Sequence, residues 1–180
     1  IKDISTKIAF LEIGDSDSDE FFKILNHYTK VDKIEYDSKA ELLTTLKPYQ
    51  TVVVGFHKST KSPFDPYKFN QSEIETLELL SKNKNVILNV FAKPYALMDL
   101  DMTNISSILV SYQNNVIAQN KSARIMFGAL PAVWRLPVSI SKKYPLHSSI
   151  KTKTINRLSY GLPSDKKFDL DILNSIDSVV

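Results

Sequence analysis

At 180 residues, with 43% hydrophobic and 24% charged side chains, the chain has the makeup of an ordinary globular domain, not of a disordered or fibrous one. Its 23 basic and 20 acidic residues leave a net charge of +3, too balanced to argue for a nucleic-acid partner, and no Lys/Arg block with interleaved aromatics stands out. There is no cysteine, which excludes disulfides, thiolate nucleophiles and Cys-ligated zinc, and no apolar run approaches the ~20 residues that a membrane-spanning helix needs.

Ile8 to Ile13 is predicted as a first strand. Gly14 and the run Asp15-Ser16-Asp17-Ser18-Asp19 turn it into a helix, because Asp and Ser cap helix N-termini and carboxylates suit the positive end of the dipole. Ser16 is read as a helix-start residue. The helix carries an apolar stripe of Phe21, Phe22, Leu25 and Tyr28. A short second strand is expected at Lys33 to Tyr36, and a second helix over Lys39 to Lys47, with Leu42, Leu43 and Leu46 inward. Thr51 to Phe56, β-branched and apolar, reads as a central strand. A long loop follows, His57 to Phe69, shaped by Pro63 and Pro66. The next helix has a complete start signal, with Asn70 to cap, Glu73 three residues on, and Phe69 set to staple against Ile74.

Asn85 to Gln113 organises the chain. It opens with a strand, Val86 to Phe91, stopped by Pro94, which has no N–H to give to a ladder. It closes with another strand, Ser107 to Ser111. Two apolar strands joined by a crossover mark a parallel α/β sheet, whose ligands lie beyond the carboxyl ends of the strands. A helix over Asn115 to Phe127 is closed by Gly128. Pro131 to Ile140 is expected as a last strand, confined to an edge by Pro137. The fold class is therefore α/β, a flavodoxin-like, doubly wound three-layer sandwich with a mainly parallel sheet of five to six strands. Residues 1–141 form this domain. Residues 142–163 lack periodicity and read as a linker with a turn at Tyr160-Gly161-Leu162-Pro163. Residues 164–180 begin a further unit, with Ile172, Leu173, Ile176 and Val180 on one helical face. The chain starts at Ile1 without Met or signal peptide and stops inside that helical pattern, so it reads as a fragment of a longer protein.

Phe91-x-x-Pro94-Tyr95-Ala96-Leu97, Val110-x-Tyr112, Gln119, Ile125-x-Phe127-Gly128 and Leu136-Pro137-Val138, in this order and spacing, resemble the C-terminal α/β domain of glycoside hydrolase family 3. The likeness spans about residues 5 to 163 and is greatest to the bacterial β-N-acetylhexosaminidase branch with a downstream β-lactamase-like domain. Lys93 before Pro-Tyr and Trp134 before Arg135 depart from the usual pattern. The resemblance implies an exported bacterial parent (periplasmic or cell-surface) that hydrolyses β-N-acetylglucosaminides or related β-glycosides. It implies a catalytic barrel upstream, a β-lactamase-like domain from about residue 164 onward, and a bracing role for this domain, with the catalytic residues on the barrel.

The residues themselves leave other chemistries to weigh. Gly14-Asp15-Ser16 after a strand resembles the nucleophile block of SGNH-type esterases. That chemistry needs a histidine oriented by an acid, and Tyr144 stands where Asp-x-x-His would have its Asp before His147. A flavin phosphate in this loop would meet Asp15, Asp17 and Asp19, which repel it, so no cofactor is expected. As a calcium loop the same acids fail at positions six and twelve, Glu20 and Asn26, so no metal is expected. A phosphoacceptor Asp after the third strand is replaced by His57-Lys58. Glycosidases use paired carboxyl groups, and the loop His57 to Phe69 offers only Asp65. A small-ligand module remains as a second alternative. No catalytic residue is assigned. The residues expected at the interface or cleft rim are His57, Phe64, Asp65, Tyr67, Lys93, Tyr95, Tyr112 and Asn114.

Overall fold

Apolar and β-branched runs make the frame. The computed structural model describes residues 1–59, 62, 64–160, 169, 172 and 175. Five strands, β1 (Ile8–Gly14), β2 (Val31–Lys33), β3 (Thr51–His57), β4 (Asn85–Phe91) and β5 (Ser107–Val110), pair in parallel in the order β2-β1-β3-β4-β5. Parallel neighbours need crossovers. These are α1 (Asp19–Tyr28), α2 (Lys39–Thr45), α3 (Gln71–Asn83) and, between β4 and β5, a 3₁₀ helix over Pro94–Asp99. The last helix, α4 (Val116–Met126), follows β5. The strand order is that of flavodoxin-like doubly wound sheets.

The period of two along each strand sorts the core into two layers. Ala9 and Leu11 of β1, Val52, Val54 and Phe56 of β3, and Val86, Leu88 and Val90 of β4 pack with Leu42, Leu46, Leu77 and Leu80 from the α2 and α3 side. Ile8, Phe10, Val53 and Phe91 point the other way, onto Phe21, Ile24 and Leu25 of α1 and Ala123 and Phe127 at the α4 end. The start of α3 is as its sequence demands. The Asn70 side chain accepts from Glu73 N at 2.9 Å, and Glu73 Oε2 accepts from Asn70 N at 2.7 Å.

Four expectations shift. The second strand lies at Val31–Lys33, two residues before the expected start, because Ile8 and Phe10 of β1 take Val31 and Lys33 as partners and Val31 is buried. The start of α1 is preceded by Ser18, not Ser16. Ser18 makes no side-chain cap bond, and Asp17 Oδ1 accepts from Asp19 N at 2.6 Å instead. Phe69, read as a staple at the start of α3, is buried and stacks on Phe56 with ring centroids 3.7 Å apart, so it belongs to the core of the sheet.

The largest shift concerns Pro131 to Ile140, which is not an edge strand. It pairs with the chain that follows it. Leu136 N donates to Ser148 O at 3.1 Å, His147 N to Leu136 O at 2.8 Å, Thr152 N to Ala132 O at 2.9 Å, and Ile155 N to Gly128 O at 2.9 Å. Pro137 has no N–H, and an irregular two-armed ribbon tolerates that better than a sheet ladder does. Residues 142–160, within the stretch read as a linker, carry no helix or strand, and the returning arm of the ribbon runs through them. Arg157 donates to Lys2 O and lies 5.9 Å from the Phe127 ring, and Arg124 donates to Ser159 Oγ at 2.6 Å. Tyr160 packs on His27 and Tyr28, with centroids 5.0 and 5.2 Å apart. Pro63, most of the turn at 160–163 and most of the expected helix over 169–180 lie outside the described residues.

Candidate functional site: the carboxyl edge of the sheet

Because every strand runs the same way, Gly14, His57, Phe91 and Val110 end at one edge, and the loops after β1, β3, β4 and β5 meet there. Close approach dictates the first residue. Gly14 has φ +108°, and a Cβ on it would sit 2.0 Å from the His57 carbonyl oxygen, so only glycine fits. Asp15 N donates to that same oxygen at 3.0 Å.

His57 is fully buried at the centre of this edge. Its ring stacks on Phe91, centroids 4.3 Å apart, and tilts against Phe21 at 5.8 Å. Gly55 makes room for it, since a Cβ there would lie 2.5 Å from His57 Nε2. His57 Nδ1 is 3.0 Å from Asn114 Oδ1. That oxygen also accepts from Gln119 Nε2 at 2.8 Å. Asn114 Nδ2 and Gln119 Nε2 both donate to Asp17 O, at 3.0 and 2.8 Å, and Phe21 N donates to Gln119 Oε1 at 2.9 Å. Asn114 Oδ1 is thus an acceptor, so His57 Nδ1 carries a proton. Burial drives its pKa from the ordinary 6.5 down to about 4, against smaller opposing effects of the Asn114 hydrogen bond, Glu12 and Asp17. His57 Nε2 has no hydrogen-bond partner.

A second buried polar chain lies on the same sheet face. Asn89, level with Gly55 on the neighbouring strand, is fully buried. Ser111 Oγ donates to Asn89 Oδ1 at 3.2 Å and lies 2.6 Å from Ser122 Oγ. Together the two groups tie β3, β4, the loop after β5, α4 and the start of α1. Sequence reasoning named His57 and Asn114 but missed Asn89 and Ser122. The signal for Asn89 was a lone amide inside the apolar run Val86 to Phe91.

The outer part of the edge is a cleft of about 240 Å³, lined among others by Lys58, Ser59, Asp65, Tyr67, Lys93 and Tyr112. Lys58 Nζ donates to Asp15 Oδ2 at 3.0 Å, and Ser59 N donates to Asp15 Oδ1 at 3.1 Å. Asp65 Oδ2 accepts from Ser59 Oγ at 2.8 Å and Ser62 N at 3.0 Å. Lys93 Nζ lies 5.0 Å from the Tyr67 ring centroid. Tyr112 sits at φ +64°, a strained region for a bulky residue, and burial raises its hydroxyl pKa. The rim is apolar. Phe64 is 93% exposed, Tyr95 41%, and Val116 and Ile117 in the first turn of α4 64% each.

All eight sequence-assigned residues therefore lie at this edge, with His57 buried, Asn114 part-buried against it, and the others in the cleft or on the rim. Ser16 makes no hydrogen bond to a histidine among the described residues. Among the same residues no group of three His, Asp or Glu converges as metal ligands.

No family model and no curated protein matches the chain. Several solved chains are similar to it, among them these two. "Beta-glucoside phosphorylase BglX" is 12% identical with a TM-score of 0.48, over 68% of this chain and 24% of that one. A CheY-like protein, tadZ from Pseudomonas aeruginosa PAO1, is 15% identical with a TM-score of 0.42, over 71% of this chain and 99% of that one. The chain thus spans about a quarter of the first of these, and neither likeness carries a function to it.

Proposed function

We propose that this is a non-catalytic accessory domain of a glycoside hydrolase family 3 enzyme, docked through the carboxyl edge of its sheet onto a catalytic barrel of the same parent chain. The parent would hydrolyse β-N-acetylglucosaminides or related β-glycosides. The observation that carries this reading is an inert centre inside an apolar rim. The buried His57 is neutral and bonded to an amide, with no carboxylate to orient it as a base. Asp65, the carboxylate that lines the cleft, is engaged by Ser59 and Ser62, and Asp15 nearby is engaged by Lys58 and Ser59. Glycosidases need a pair of carboxyl groups flanking the bond, one of them able to give up a proton. Around this centre Phe64, Tyr95, Val116 and Ile117 lie exposed, as a surface awaiting a partner would have them. The motifs from Phe91 to Val138, which resemble those of glycoside hydrolase family 3, support a barrel as that partner.

An aryl β-N-acetylglucosaminide assay tests the proposal on the chain alone and on the chain joined to its upstream barrel. The chain alone should not turn over substrate. Phe64→Ser with Tyr95→Ser should leave its melting point near normal while lowering the thermal stability or activity of the joined enzyme. Turnover by the chain alone, lost in Asp65→Ala, would refute the accessory reading. The cleft favours a second reading, a small-ligand module. Calorimetric titration of the chain alone with N-acetylglucosamine separates the two, because the accessory reading expects no heat of binding.

A further inference from the structure

The net charge of +3 hides an asymmetry along the sequence. Residues 1–101 hold sixteen acidic and thirteen basic side chains, whereas residues 102–160 hold no acidic and eight basic ones. Five of these eight, Arg135, Lys142, Lys143, Lys151 and Lys153, are exposed on the two-armed ribbon that runs out from Gly128 and back to Ile155. Among the described residues none of the five is in an ion pair. Lys143 lies 5.6 Å from the Tyr144 ring centroid, and the pKa of Asp101 is lowered by hydrogen bonds from Thr103 and further by the Lys143 charge, but the five charges share one sign and face outward.

The same ribbon exposes large apolar side chains. Its bonds set Ala132 against Thr152 and Leu136 against Ser148, which brings Trp134 level with Ile150 on the opposite arm. Trp134 is 79% exposed and Ile150 86%, with Val133 and Leu146 half-exposed nearby. Single exposed apolar residues need no explanation, but two facing each other across a basic ribbon do. Lysines flanking a tryptophan and aliphatic side chains have one fitting counterpart, an anionic lipid surface. The ammonium groups meet lipid phosphates, the indole lies at headgroup depth, and the aliphatic groups reach the acyl boundary. Nucleic acid would answer the lysines but offers nothing to Ile150, Val133 and Leu146. No helix among the described residues is long and apolar enough to cross a membrane, so the contact is peripheral.

We infer that the ribbon from Gly128 to Ile155 docks the protein on the surface of an anionic phospholipid bilayer, with Trp134 and Ile150 at its centre. The inference is independent of the carboxyl edge. Trp134 is the sole tryptophan of the chain and reports on itself. The whole chain is titrated with vesicles of phosphatidylcholine mixed with phosphatidylglycerol, and with vesicles of phosphatidylcholine alone. The mixed vesicles should shift the tryptophan emission to the blue and sediment with the protein, and added salt should release it. Each lysine near such a surface is worth about fivefold in binding. Replacing Lys142, Lys143, Lys151 and Lys153 by Ser should therefore weaken binding on the order of a hundredfold or more. Ile150→Ser should weaken it at unchanged salt dependence. All five positions are exposed, so circular dichroism should stay native. Absence of a shift on mixed vesicles, equal binding to neutral vesicles, or binding to duplex DNA in place of vesicles would each overturn the inference.

Discussion

His57 makes stability depend on pH in a way that one substitution can isolate. In the fold its pKa is about 4, against an ordinary 6.5 in the unfolded chain. Its folded pKa is depressed, so its neutral form is the one the fold accepts. The unfolded chain then binds the extra proton between those two values. Stability from this group is fully present above 6.5, falls as pH drops through that window, and is lost below about 4. The gap corresponds to about 3 kcal/mol, or about 1.4 kcal/mol for each pH unit of the window. The cause is local. A proton on Nε2 would put a charge between Phe21, Phe91 and Gly55, where no acceptor waits. His57→Phe keeps a ring between the same aromatics and removes the titration, while Asn114 Oδ1 keeps its bond from Gln119. Urea melts of both chains are compared from near-neutral pH to about pH 4. Acid-sensitive carboxylates such as Glu75, whose pKa Lys39 lowers, are common to both and cancel in the difference. The difference should grow by about 3 kcal/mol in favour of His57→Phe as pH falls. Parallel curves, or an NMR titration of His57 near its ordinary value, would show that the ring is not held neutral in the core.

Leu88→Ala should cost about 2–5 kcal/mol in denaturant melts, because Leu88 is fully buried between the sheet and α3 and leaves a cavity; a much smaller loss would mean the strand is misplaced. Gly55→Ala should cost about 1–3 kcal/mol by overpacking, since the new Cβ would lie 2.5 Å from His57 Nε2 and 2.9 Å from the Phe10 ring. If His57→Phe and Gly55→Ala prove additive, the two sites do not touch as described. Asn70→Ala should cost about 1 kcal/mol through loss of the capping box, whereas Ser16→Ala should change stability by less than about 0.5 kcal/mol, because Ser16 caps nothing. An equal effect at the two positions, read from thermal melts, would contradict the assigned start of α1.

Much of this protein was legible without coordinates, and what was legible has a common cause. Thr51–His57 and Asn85–Phe91 are mostly apolar along both faces, and only a strand covered on both sides needs that, so the buried parallel sheet could be read from the sequence pattern. Asn70 with Glu73 is a local device whose partners lie within a few residues, whereas Gly14, legible as a turn residue after Ile13, is required by the His57 carbonyl on a neighbouring strand. The gathering of the edge loops follows from topology, since parallel strands must end together.

What escaped depends on contacts between residues far apart in sequence. His57 reads as a loop histidine until Gly55, Phe21 and Phe91 close around it and Asn114 takes its proton bond. Gln119 joins Asp17 across about a hundred residues, and Asn89 meets Ser111 just beyond the end of the next strand, pairings that no local pattern encodes. The ribbon after Gly128 lacks periodicity because it is not a regular element, and its path is set by bonds such as Leu136 to Ser148 and by the docking of Arg157 over Phe127. Local propensity and hydrophobic period thus determined the elements and their layers. The burial and charge state of His57, and the exposure of Trp134 on a basic ribbon, were decided only when tertiary packing chose which polar groups found partners and which faced outward.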